Sequence, residues 1–165
     1  MIKIGVLSDT HIPFKKIFLP PEIFQLFSDV DLILHAGDIC KLKVIDNLES
    51  LAPVIAVGGN MDPPEIFSKY GSFNLKEIAG KKIFLIHGNQ GWGSALQNAK
   101  KHISKADCIV FGHSHSPYNK KHGDTILFNP GSSVDFRRPN VKKKEPSVGI
   151  ITIKDEQILP EIIYL

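Results

Sequence analysis

Ile2-Lys3-Ile4-Gly5-Val6-Leu7-Ser8-Asp9-Thr10-His11 sets a short apolar run directly before an aspartate and a histidine spaced by one residue. The same form recurs down the chain. Residues 32–34 lead into His35-Ala36-Gly37-Asp38, residues 54–57 into Gly58-Gly59-Asn60-Met61-Asp62, residues 83–86 into His87-Gly88, and residues 108–111 into Gly112-His113-Ser114-His115. Each run is apolar at successive positions instead of alternating, the pattern of a strand buried on both faces. Helical spacing falls between the first runs, at residues 22–27 after a Pro-Pro start, at 42–51, and in a shorter piece opened by Pro63 and Pro64. Strand, helix, strand, helix, strand predicts a parallel α/β sheet.

A further helix over residues 94–104 separates the fourth run from the fifth. After residue 114 the chain changes to closely spaced strand candidates at 126–128, 148–153 and 158–164, with turn signals at His122-Gly123-Asp124 and Lys154-Asp155-Glu156-Gln157. These predict antiparallel strands and hairpins that complete the sheets of an α/β sandwich.

The 165 residues, 42% hydrophobic and 22% charged, suit one domain spanning residues 1–165. The longest apolar runs are six or seven residues, against the roughly 20 needed to cross a bilayer, and the N-terminus enters a strand instead of a signal segment. A cytoplasmic protein without a membrane partner is expected. Cys40 and Cys108 lack zinc-ribbon spacing and read as free thiols. The net charge of +3 is small, and Lys142, Lys143 and Lys144 read as a solvated loop, so nucleic acid is not expected as a stable partner.

The chemistry lies at the ends of the runs. In a largely parallel sheet the carboxyl ends of strands share an edge, so residues distant in sequence converge there. The converging set is Asp9, His11, Asp38, Asn60, His87, His113 and His115: imidazole, carboxylate and amide, with no thiolate. Those donors suit Mn, Fe, Co, Ni or Zn better than calcium or a structural zinc. Taken singly, Asp-x-His, Gly-Asn and His-Gly are ordinary turns; five such motifs in order on strand ends are not. His35, His102 and His122 fall outside the set and are assigned to packing or solvent exposure. Seven ligands exceed what one ion with open positions uses. Two ions sharing a carboxylate account for the surplus, and Asp38, central in the set, is the natural bridge. Ions about 3.5–4 Å apart lower the pKa of a bridging water and clamp a phosphoryl group for in-line displacement. That chemistry is phosphate-ester hydrolysis.

With these residues in view, the chain resembles the calcineurin-like metallophosphoesterase superfamily, in particular its small bacterial and archaeal phosphodiesterase branch. The motifs that match are Asp9-x-His11, Gly37-Asp38, Gly59-Asn60-x-Asp62, His87-Gly88 and Gly112-His113-Ser114-His115, followed by Asn129-Pro130-Gly131-Ser132. The resemblance implies a four-layer α/β/β/α sandwich with mixed sheets. It implies one ion held by Asp9, His11, Asp38 and His115 and a second by Asp38, Asn60, His87 and His113, with Mn or Ni effective. It also implies a bridging hydroxide as nucleophile, and Asn60 in contact with the substrate phosphate. Asp38, Asn60, His87 and His113 are then the catalytic group.

The chain departs from the protein-phosphatase branch at one position. There a histidine follows the Gly-Asn pair and helps protonate the leaving group, whereas here Met61 follows it, and a thioether donates no proton. Phosphodiesters with good leaving groups are therefore expected over phosphomonoesters, which stand as an alternative. Asp62 is read as a structural turn residue in preference to a support for a neighbouring ligand. Arg137 and Arg138 could hold a phosphate, although a solvated loop is the favoured reading. Trp92, between Gly91 and Gly93, is expected to pack over its loop in preference to stacking a nucleobase.

A reading of another class is a scaffold. Asp9-Thr10-His11-Ile12-Pro13, His87-Gly88 and Asn129-Pro130-Gly131-Ser132 also resemble the small subunit of the retromer sorting complex, which binds through apolar surface patches. The complete ligand set favours the enzyme. Physiological substrate, native metal and oligomeric state, monomer or dimer, are not encoded in these motifs.

Overall fold

The computed structural model describes residues 1–12, 18–134 and 144–165. In chain order the first half comprises β1 (Ile2–Leu7), α1 (Pro21–Leu26), β2 (Leu32–His35), α2 (Leu42–Glu49), β3 (Val54–Ala56), α3 (Pro64–Tyr70), β4 (Phe73–Ile78) and β5 (Lys81–Ile86). The second half comprises α4 (Ala95–Lys100), a 3-10 turn at Ile103–Lys105, β6 (Cys108–Val110), β7 (Tyr118–His122), β8 (Thr125–Asn129), β9 (Ser147–Lys154) and β10 (Gln157–Tyr164).

The strands form two five-stranded sheets, ordered β10-β9-β1-β2-β3 and β4-β5-β6-β8-β7. Both are mixed. β1, β2 and β3 run parallel, with β9 antiparallel to β1; β5, β6 and β8 run parallel, with β4 and β7 antiparallel at the edges. The single parallel sheet read from the first five runs is therefore corrected: three runs belong to one sheet and two to the other. Their composition could not separate them, because every run is buried on both faces in either arrangement.

Alternate residues of each strand serve different cores, which makes the molecule a four-layer sandwich. Ile4, Val6 and Leu34 of the first sheet pack with Ile83, Leu85, Cys108, Val110 and Phe128 of the second. Leu7 and Ile33 face the other way, against Ile23 of α1 and Val44, Ile45 and Leu48 of α2. On the far side Phe84, Ile109 and Leu127 of the second sheet pack against Ala95 and Ala99 of α4.

The helices begin where local chemistry tells them to. Pro21 and Pro64 occupy the first turns of α1 and α3, where a missing N–H costs nothing. α4 opens on a reciprocal cap: the Gln97 N–H donates to Ser94 Oγ at 3.2 Å, and the Ser94 N–H donates to Gln97 Oε1 at 2.8 Å. None of the described helices is long and apolar enough to cross a membrane. Cys40 and Cys108 are free and buried.

Candidate metal centre

The carboxyl ends of β1, β2 and β3 in one sheet and of β5 and β6 in the other carry the ligand-type residues. Immediately after those strands the chain turns sharply, and residues with side chains join Gly37 and Gly88 at positive φ. Asp9, His11, Asp38, His113 and His115 all adopt positive φ, between 47° and 67°. For residues with a Cβ this left-handed conformation is costly and clusters at functional sites. Glycine enters where space is the constraint. A Cβ on Gly37 would stand 2.7 Å from His87 Nδ1, and one on Gly59 would collide with the Asp38 carboxylate.

Both carboxylates are held by one oxygen and leave the other facing imidazoles. Asp9 Oδ2 accepts from the Ser8 hydroxyl at 2.6 Å and from the His113 N–H at 3.0 Å. Its Oδ1 is buried and accepts no hydrogen bond of sound geometry, yet Nε2 of His115, His11 and His87 lie 3.2, 3.8 and 4.0 Å from it. Asp38 Oδ1 accepts from the Met61 N–H at 2.8 Å, while Oδ2 lies 3.4 Å from His87 Nε2 and 3.6 Å from His11 Nε2. A buried carboxylate oxygen surrounded by ring nitrogens but hydrogen-bonded by none is the arrangement a cation satisfies.

One ligand atom from each of Asp9, His11, Asp38 and His115 falls within a 4.8 Å span, a group able to hold a divalent ion. Beside it, His87 Nε2 stands 3.2 Å from Asn60 Oδ1, and the rings of His87 and His113 meet edge-on at 5.2 Å. The structure thus brings all seven candidates together. Asp9, His11, Asp38 and His87 form a buried floor, His115 is half-buried, and Asn60 and His113 stand on the exposed side. Arg137, Arg138, Lys142 and Lys143 lie outside the described residues. Lys144 donates to the Ser114 carbonyl at 2.6 Å.

The electrostatics follow from burial opposed by proximity. Burial alone would raise Asp9, but the His115 ring 3.2 Å from its Oδ1 and the His87 charge outweigh it and hold the carboxyl at about 2. Burial would lower His87, but Asp38 and Asp9 outweigh it and raise the ring to about 9. Burial dominates at His11 and His113, which are lowered. The His87 Nδ1–H donates to the Ala36 carbonyl at 2.7 Å, which leaves Nε2 as the nitrogen that faces the carboxylates.

Several supports make contacts that no sequence spacing encodes. Asp62 accepts from the Cys40 N–H at 2.6 Å and the Gly59 N–H at 2.7 Å, binding the Asp38 loop to the Asn60 loop. Asp62 is thus a support for the loops of two ligand residues as well as a turn residue. His35 is fully buried and lowered to about 3 by that burial. Its Nδ1 accepts from the Gly37 N–H, so Nε2–H donates to Thr10 Oγ1 and the ring packs beneath the site as expected. Ser132 donates to the Asp9 carbonyl at 2.7 Å, and Asn129 Nδ2 to the Gly112 carbonyl at 2.9 Å, so Asn129-Pro130-Gly131-Ser132 braces two ligand loops. Asn98 of α4 donates to the Gly88 carbonyl at 2.9 Å and braces a third. His102 stacks on Phe84, and the His122 ring meets the Tyr118 hydroxyl. Trp92 departs from expectation: it is 96% exposed, because the turn formed by Gly91 and Gly93, both at positive φ, projects it away from the core.

Known proteins share both this sequence and this fold. Over 97% of its length the chain is 39% identical to a probable metallophosphoesterase of Methanothermobacter thermautotrophicus, covering 91% of that protein. Over 82% it is 32% identical to a phosphodiesterase of Methanocaldococcus jannaschii, covering 86%. The crystal structure of Vps29 from Chaetomium thermophilum superposes with a TM-score of 0.83 at 18% identity, covering 99% of this chain and 97% of that one, which is a likeness of fold. The calcineurin-like phosphoesterase superfamily domain matches residues 2–156, and the chain belongs to that superfamily.

Proposed function

We propose that the chain hydrolyses phosphate diesters at a centre of two divalent ions, one held by Asp9, His11, Asp38 and His115 and the other by Asp38, Asn60, His87 and His113. The observation that carries this reading is the position of Asp38 Oδ2, 3.6 Å from His11 Nε2 and 3.4 Å from His87 Nε2. A shared ligand needs one carboxylate flanked by a donor of each set. The mixture of imidazole, carboxylate and amide suits Mn, Fe, Co, Ni or Zn alike, and the family resemblance favours Mn or Ni among them. Two divalent ions held by these residues would lower the pKa of a water into the neutral range and offset the charge of the phosphate.

The chain's own residues supply the rest. Asp9 and Asp38 bring negative charge to a floor that excludes bulk water, and Ala36 holds His87 in the tautomer that presents Nε2. On the open side, Asn60 has its Oδ1 toward His87, which leaves its amide N–H groups for a phosphate oxygen. Met61 offers no proton, so the leaving group departs best as a stable anion. That preference favours activated diesters, with monoesters as the alternative class. A scaffold role draws support from fold likeness and from the motifs that resemble the retromer small subunit, and it leaves five strained ligand-type residues without an account.

Protein loaded with Mn or Ni is expected to hydrolyse bis-p-nitrophenyl phosphate, and His87→Ala or Asp38→Asn to remove that activity. Protein carrying two ions per chain yet inert toward activated diesters and monoesters overturns the reading.

A further inference from the structure

A cleft of about 430 Å3 opens beside the metal centre, lined by Cys40, Lys41, Asn60, Met61, Pro63 and Glu65. Its volume lies in the range of small-molecule sites. Two of its walls touch the centre directly: Asn60 Oδ1 is 3.2 Å from His87 Nε2, and Cys40 Sγ is 4.0 Å from His11 Nδ1. The cleft thus shares Asn60 with the metal centre.

The chemistry of the walls selects its occupant. Met61 is 49% exposed, while its backbone is anchored to Asp38, so a thioether on a fixed base faces the cleft. Pro63 adds a rigid ring, and Cys40 a buried neutral thiol. Asp62 also lines the cleft, but both of its carboxylate oxygens turn to the backbone N–H groups of Cys40 and Gly59 and away from an occupant. Lys41 and Glu65 are both exposed and offset one another, so the lining keeps the single negative charge of Asp62, which disfavours an anionic substituent. Soft sulfur and a proline ring favour a flat, polarisable, neutral group, since thioethers pack well against aromatic edges and faces.

We propose that this cleft receives an aryl or heteroaryl ester substituent of the substrate, with Met61 as the specificity-determining contact. The proposal rests on the phosphodiesterase reading above. It gives the thioether a positive role: the residue that supplies no proton grips the ring of an ester whose leaving group needs none.

Phenylphosphonate and methylphosphonate carry the same dianionic head, so calorimetric titration of both into Mn-loaded protein separates the two claims. Methylphosphonate reads the metal centre, and the ratio of the two affinities reads the cleft. Phenylphosphonate is expected to bind about tenfold or more tightly than methylphosphonate, the effect of burying much of one ring. Met61→Ser, which removes the thioether, and Lys41→Trp, which fills the cleft from its other wall, should each reduce that ratio to below about threefold. Equal binding of the two ligands to the native chain overturns the cleft proposal, as does a ratio that survives both substitutions. Failure of both ligands to bind overturns the phosphodiesterase reading, and the cleft proposal falls with it.

Discussion

The backbone N–H of Met61 donates to Oδ1 of Asp38 at 2.8 Å, and the carboxylate is thereby turned so that Oδ2 alone faces His11 and His87. The contact belongs to the main chain. The Met61 side chain is therefore free to be exchanged without loosening the residue proposed to bridge two ions.

Met61→His exploits that separation. An imidazole here retains the N–H that orients Asp38 and adds a group able to protonate a departing alkoxide. General acids contribute about 10²–10⁴-fold where the leaving group is poor. The variant is expected to gain at least tenfold in kcat/KM on a monoester with a poor leaving group such as phenyl phosphate, with little gain on an activated diester. Unchanged monoesterase activity, with metal content intact, would remove the missing acid as the explanation for diester preference.

Legibility in the sequence follows burial. β1, β2, β3, β5 and β6 are apolar runs because both of their faces are covered, and reading them also located the seven ligand-type residues at their ends. β4 and β7 escaped. Phe73-Asn74-Leu75-Lys76-Glu77-Ile78 and Tyr118-Asn119-Lys120-Lys121-His122 are edge strands with mostly exposed or half-exposed side chains, so they show no continuous apolar run. Asp62 and Ser132 lie in motifs that the family resemblance picks out, but their contacts as braces are silent. The clamp of Asp62 on two backbone N–H groups, and of Ser132 on the Asp9 carbonyl, depends on where distant loops meet, and no spacing encodes it. Nor does composition announce that Asp9, His11, Asp38, His113 and His115 adopt a backbone conformation usually left to glycine.

The pH dependence of the metal-free protein should isolate His87. Burial opposes its charge, but Asp38 and Asp9 raise the folded-state value to about 9, against 6.5 for the unfolded ring. With the folded value above the unfolded one, the stabilisation is complete below pH 6.5 and is lost as the pH rises through about 9. His11, His35 and His113 are shifted downward, so they act below pH 6.5, and the thiols of Cys40 and Cys108, pushed up to about 12, act only above pH 9. Urea denaturation of metal-free protein is expected to lose on the order of 1–3 kcal/mol across this window, and that of His87→Gln to stay flat. Metal affinity should rise over the same window, because the ion competes with that proton. A metal-free stability that holds level or climbs between pH 6.5 and 9 contradicts the charge state assigned to His87.

Asp62 offers a test of structure against chemistry. Its carboxylate satisfies the N–H of Cys40, itself held at a φ of 69°, and the N–H of Gly59, whose neighbour is Asn60. Asp62→Ala leaves both half-buried donors without their partner, at a cost of about 1–3 kcal/mol each before water relieves part of it. Asp62→Asn keeps one acceptor oxygen and should lose roughly half as much. Because the two loops carry Asp38 and Asn60, their loosening should weaken metal binding in proportion, which metal titration followed by calorimetry measures. The turnover number separates the roles. A brace that only positions ligands gives Asp62→Ala a kcat that returns to near the native value once metal is saturating, since every group that touches the substrate is still present. A group that itself moved a proton would leave kcat depressed by about two orders of magnitude at any metal concentration, and that outcome would transfer Asp62 from the frame of the site into its chemistry.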